Sequence, residues 1–161
     1  MTGAFVLSLD TEIAWGTFTW GGTEFYRRHF DGYRQNVDRF IKLMDDYAIP
    51  STWAFVGHLM LDGCDGNHPE APAPDFPWYG RPWYDIDPGT DCTTDPWWYA
   101  PDILEKVRAM NTPQEIGTHT FSHVFLNDPA VTPEMARDMG IGALGSALGT
   151  LGTARMTASR Q

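Results

Sequence analysis

The chain has 161 residues, 42% of them hydrophobic and 20% charged, the length and balance of one globular domain rather than two, and not those of a fibrous or wholly disordered chain. Eleven basic residues against 21 acidic ones give a net charge of −10, the wrong sign for a surface that follows phosphates or anionic lipid, so nucleic acid is not an expected partner. No apolar run approaches the roughly 20 residues that span a bilayer, and the start MTGAFVLSLDTE has neither a basic leader nor a long apolar stretch, so a cytoplasmic location is expected.

Residues 4–9 (AFVLSL) form a short apolar run ending at Asp10, the pattern of a strand buried on both faces with a carboxylate at its tip. Over residues 32–47 the apolar positions Tyr33, Val37, Phe40, Ile41, Met44 and Tyr47 recur at helical spacing, and Pro50 stops the helix. Residues 51–56 (STWAFV) are rich in aromatic and β-branched side chains and run into Gly57, which predicts a second strand. Residues 62–101 mix Pro, Gly and Asp with Phe76, Trp78, Tyr79, Trp83, Tyr84, Trp97, Trp98 and Tyr99. An insertion of that length and aromatic content is expected to be an ordered flap. Ile103, Leu104, Val107 and Met110 mark a helix opened by Pro101 and Asp102, and residues 114–118 (QEIGT) a short strand leading into His119. Strands alternating with helices predict an α/β fold with a parallel sheet, open or closed into a barrel.

Every aromatic residue lies at or before Phe125 and every acidic one at or before Asp138. Residues 139–161 are therefore a different kind of sequence, an Ala/Leu pattern broken by Gly140, Gly142, Gly145, Gly149 and Gly152. Each glycine costs roughly 1 kcal/mol inside a helix. Two readings stand for this tail: a frayed amphipathic end, or a departure from the natural sequence by truncation or a shifted reading frame.

His119 and His123 stand four residues apart, a spacing that on a helical turn puts both imidazoles on one face, about 6 Å apart. Zinc sites that do chemistry use about three protein ligands and leave one position open. Because ligands in α/β folds gather beyond the carboxyl ends of the strands, Asp10 and His119 are expected on one rim, and the carboxylates of Asp10 and Glu12 can supply an acidic third ligand and a base. A zinc-protease reading needs glutamate after the first histidine, but position 120 is Thr. The non-functional reading is two histidines capping a turn beside a solvated Glu12.

Residues 5–10 (FVLSLD), 51–57 (STWAFVG) and 115–123 (EIGTHTFSH), in that order, resemble the first half of a polysaccharide deacetylase (NodB homology) domain. The resemblance implies a distorted (β/α) barrel, here incomplete at its C-terminal side. It also implies a divalent metal, zinc first, and hydrolysis of acetyl groups from N-acetylated glycans or of related small amides at C–N bonds. By position, His119 and His123 would be metal ligands and Asp10 the base, with Thr120 and Ser122 shaping the turn. The family's metal-binding aspartate falls at Thr11, and Glu12 is the replacement candidate. The family's later motifs, including the histidine that serves as acid, have no match after His123. His29, His58 and His68 lie outside those contexts and read as surface or internally satisfied histidines. The chain alone is thus expected to be inactive or dependent on self-association.

The alternative from another class is a carbohydrate-binding or regulatory protein that keeps the fold without turnover; a purely structural α/β domain is the third. Trp78, Tyr79, Trp83 and Tyr84 could line a glycan cleft, though such side chains more often pack. Cys64 and Cys92 are expected as free thiols, or outside the cytoplasm as a disulfide at the base of the insertion.

Overall fold

The computed structural model describes residues 3–142, so the expectations for residues 143–161 of the tail lie outside the described residues. Three strands, β1 (Ser8–Thr11), β2 (Thr52–Phe55) and β3 (Glu115–Thr118), form one parallel sheet in the order β1-β2-β3. Four helices accompany it: α1 (Gly22–Phe30), α2 (Tyr33–Asp46), α3 (Pro101–Arg108) and the short α4 (Pro133–Arg137). No helix among the described residues is long and apolar enough to cross a membrane.

This corrects the barrel expectation. A barrel closes only when every strand is paired on both sides, with eight strands in the usual (β/α) form. Here β1 and β3 each pair on one side only, so the described residues make an open α/β sheet. The first strand also shifts. The apolar run at 4–9 suggested it, yet pairing starts where the Thr52 amide donates to the Leu7 carbonyl, and Phe5 and Val6 stay exposed. Hydrophobicity marked the segment; the available partner chose the register.

Strand alternation gives the sheet two unlike faces. Trp53 and Phe55 join Val37 and Met44 of α2 and Ile103, Leu104 and Val107 of α3 in one buried cluster. The opposite face carries Ser8, Asp10, Thr52, Ala54, Glu115 and Gly117, none of them buried. At the N-terminal edge the Gln114 amide ties the layers: its oxygen accepts from the Ser51 amide, the Ser51 hydroxyl and the Trp53 indole, and its nitrogen donates to the Ile49 and Thr112 carbonyls. On the helical side Arg34 grips Asp102 with two parallel hydrogen bonds of 3.1 and 3.0 Å and also donates to the Pro96 and Tyr99 carbonyls. One planar guanidinium thereby joins α2, the end of the insertion and the start of α3.

The insertion is ordered but almost without regular structure. It contains a 3-10 turn at Trp83–Ile86 and a single antiparallel bridge between Gly63 and Asp91. Phe76, Trp83, Trp98 and Tyr99 are buried in the main cluster with Trp15 and Phe18, while Trp78 is exposed. Most of the aromatic side chains therefore pack, and the Trp83 indole donates to the Ser122 carbonyl at 3.0 Å. Cys64 and Cys92 are both free thiols, so no disulfide closes the insertion.

Candidate metal centre

Both edge strands end beside the same point. β1 stops at Thr11, Glu12 follows, and Ile13, at φ +47°, turns the chain sharply into a 3-10 turn over Ile13–Gly16. β3 stops at Thr118, and the His119 amide extends the ladder by donating to the Phe55 carbonyl at 2.7 Å. Thr120 and His123 then take left-handed conformations, φ +61° and +58°. The loop is anchored from β2: the amides of Gly57 and His58 donate to the carbonyls of Thr120 and Phe121, both at 2.8 Å. A side chain at 57 would lie 3.1 Å from the Phe121 Cα, which is why glycine suits this close approach. The Thr120 hydroxyl accepts from the Val124 amide at 3.1 Å. The histidine pair thus sits on a strained turn instead of the helical turn its spacing suggested, and the ring centroids are 5.0 Å apart.

Both rings aim the same nitrogen at one oxygen. His119 Nε2 lies 2.9 Å and His123 Nε2 3.0 Å from Glu12 Oε1. All three side chains are part-buried. Hydrogen bonds from His119 and then His123 push the Glu12 carboxyl down to about 2 against the effect of burial. The Glu12 hydrogen bond raises His119 above its ordinary value against burial, with the charges of Asp10 and Glu12 adding to it. Asp10 is exposed on the open face, in register with Ala54 and through it with Gly117.

One carboxylate and two imidazoles are a donor set suited to a borderline divalent cation, and these three residues could hold one: their ligand atoms lie within 4.8 Å of one another. A Cβ at position 16 would lie 1.9 Å from Glu12 Oε2, so Gly16 is the notch that admits the carboxylate. His123 Nδ1 is buried without a hydrogen-bond partner, so that side of the ring is held by packing and only Nε2, on Glu12, by a hydrogen bond.

Glu12, His119 and His123, expected as ligands, are brought together, and Asp10 is close enough to act on His119 electrostatically. Thr11, at the position of the family's aspartate, is 1% exposed and points to the covered face with Phe55, on the opposite side of the sheet from Asp10. A second group, His58, Cys64, His68 and Asp87, could also hold a metal ion. The sequence reading passed over it, taking these histidines as surface or internally satisfied and Cys64 as a free thiol or half of a disulfide. The available signal was local: Cys64 and Asp87 are each followed two residues later by glycine, the residue that lets a backbone amide turn back onto a ligand.

The chain matches no family model, no curated protein and no solved structure. The deacetylase resemblance stands on its three short segments.

Proposed function

We propose that the chain is a metal-dependent hydrolase that removes acyl groups from N-acylated carbohydrate, with Glu12, His119 and His123 holding the cation and Asp10 as base. The observation that carries this reading is the convergence of two imidazole nitrogens on one Glu12 oxygen at the carboxyl ends of β1 and β3, where α/β folds collect their chemistry. Glu12, His119 and His123 would hold a divalent cation, zinc first, which when bound would supply polarisation of an acyl carbonyl and a more acidic water. Asp10, two residues before Glu12 on the open face, takes the water's proton. His119 and His123 keep their rings turned to the cation through the backbone pairing of residues 57–58 with 120–121. With only three protein donors, a bound cation would keep a position for water or substrate.

A second reading, a carbohydrate-binding protein without turnover, is favoured by one observation. Expelling an amine requires a proton donor, and His58 and His68 are both engaged by Asp87. Metal content and acetate release from an N-acetylglucosamine oligomer separate the two. For the hydrolase, His119→Ala binds one metal fewer, and Asp10→Asn keeps its metal while turnover falls about 10²- to 10⁴-fold. Folded, metal-loaded wild type that binds the oligomer and releases no acetate, alone or self-associated, gives the second reading. Metal content unchanged by His119→Ala removes the hydrolase role from this site.

A further inference from the structure

The segment after β2 folds four donors of three chemistries around one point. His58 comes from the 3-10 turn Gly57–Met60, Cys64 and His68 from the first limb of the insertion, and Asp87 from the residue after the turn Trp83–Ile86. Asp87 Oδ2 lies 2.9 Å from His58 Nε2, 2.7 Å from His68 Nε2 and 3.4 Å from Cys64 Sγ, and Cys64 Sγ is 3.5 Å from His58 Nε2. The ligand atoms of a tetrahedral zinc site stand about 3.3–3.9 Å apart, as bonds of about 2.0–2.3 Å require. Small movements away from Asp87 Oδ2 suffice to reach that arrangement.

The cluster is largely covered: the side chains of His58 and Asp87 are 0% exposed and that of His68 6%, with Cys64 part-buried at its edge. Aromatic rings wall it, Trp15 at 4.6 Å and Tyr99 at 4.9 Å from His58, Tyr84 at 4.8 Å and Phe121 at 5.0 Å from His68. A carboxylate shut in such a place needs a compensating positive charge. His58 Nδ1 lies 3.2 Å from the Trp98 carbonyl, which can only accept, so Nδ1 carries a hydrogen and Nε2 is the ring atom that faces Asp87. A positive charge at this point, a proton or a metal ion, compensates the buried carboxylate. One divalent cation with a thiolate, a carboxylate and two neutral imidazoles sums to zero charge, which suits a dry interior.

The surroundings follow the pattern of metal ligands fixed from behind. Gly66, at φ +80°, donates its amide to Cys64 Sγ at 3.4 Å, and Gly89, at φ +58°, donates to Asp87 Oδ1 at 3.0 Å. The Tyr99 hydroxyl lies 3.1 Å from both Cys64 Sγ and Asp87 Oδ1. The Cys64 amide donates to the Thr90 carbonyl at 2.9 Å and the Cys92 amide to the Asp62 carbonyl at 2.8 Å, so the two ligand-bearing limbs are laced together.

We infer that His58, Cys64, His68 and Asp87 form a closed structural site for a tetrahedral, thiolate-binding divalent cation, zinc above all, which staples the irregular insertion to the end of β2. With four protein ligands it has no position for substrate. It does not rest on the hydrolase reading.

Cobalt(II) tests it, because only this cluster contains sulfur. The full chain is stripped with a chelator and refilled with cobalt. The expected result is a thiolate-to-cobalt charge-transfer band with the visible bands of a tetrahedral ion, lost in Cys64→Ser and retained in Cys92→Ser and His119→Ala. Thiol alkylation followed by peptide mass spectrometry gives a readout on wild type alone: zinc protects Cys64 and leaves Cys92 reactive. A folded wild type that shows no thiolate band, a band that disappears with Cys92, or equal alkylation of Cys64 with and without zinc overturns the proposal.

Discussion

Two regions of this molecule place a carboxylate oxygen between two imidazole Nε2 atoms, and they differ in what surrounds it. At the strand ends, Glu12 meets His119 and His123 with all three side chains part-buried, and His123 Nδ1 has no partner. In the insertion, Asp87 meets His58 and His68 almost fully covered, a part-buried thiol joins them, and His58 Nδ1 rests on the Trp98 carbonyl. A fourth donor and a filled outer shell close a site and make it a staple, whereas three donors and an open side leave a position for water and substrate. The two also touch. Phe121, in the turn between His119 and His123, lies against the rings of both His58 and His68, so the closed cluster is the floor on which the open one stands.

The largest test breaks that shared floor. Phe121→Ala should destabilise the chain by about 3–5 kcal/mol, as truncation of a buried phenylalanine does, and should weaken metal binding at both clusters; denaturant unfolding and metal titration measure the two effects. Next comes linkage. Zinc at about 100 times its dissociation constant should stabilise the folded chain by roughly 2.7 kcal/mol, and Cys64→Ser should abolish that gain from the closed cluster, as read by thermal melts with and without chelator.

Gly16→Ala sharpens the contrast from the other side. Its Cβ would fall 1.9 Å from Glu12 Oε2, so the carboxylate must leave its notch. Metal affinity at the open site should drop about 10- to 100-fold, the usual effect of a misplaced ligand support, while the cobalt–thiolate band of the closed site is unchanged.

The smallest effect comes from Asp45, which is in neither cluster. The backbone amides of Thr112 and Asn111 donate to it at 2.8 and 3.1 Å and hold its carboxyl below the usual carboxylate range. A depressed folded value means its stabilisation is present above the unfolded pKa of about 3.9 and is lost as pH falls through the folded one. Asp45→Ala should therefore melt slightly below wild type at pH 7, with the gap closing under strong acid and neither metal site affected.

Much of the fold was legible in the chain. The helix expected over 32–47 is Tyr33–Asp46, and the strands expected over 51–56 and 114–118 are Thr52–Phe55 and Glu115–Thr118, because periodicity and strand-forming side chains act over a few residues. Helix α1 was not read, since Gly21 and Gly22 stand at its start and no capping side chain announces it. Of the open site, the His119–His123 spacing and Glu12 were readable because strand ends collect ligands. The left-handed Thr120 that turns the pair was not, since backbone pairing with residues 57–58 sets it.

By itself the sequence determined the local pieces: an apolar run ending in a carboxylate, a helical stripe closed by Pro50, a histidine pair beyond a short strand, and an insertion too aromatic to stay unfolded. Tertiary structure alone decided that the sheet is open and that Glu12 occupies the gap between two rings. It also decided that His58, Cys64, His68 and Asp87, separated by irregular loop, share one largely covered cluster. The reason is range: side-chain pattern and propensity act between neighbours along the chain, whereas a pocket is made by distant segments that meet only when a common core and its backbone hydrogen bonds draw them together.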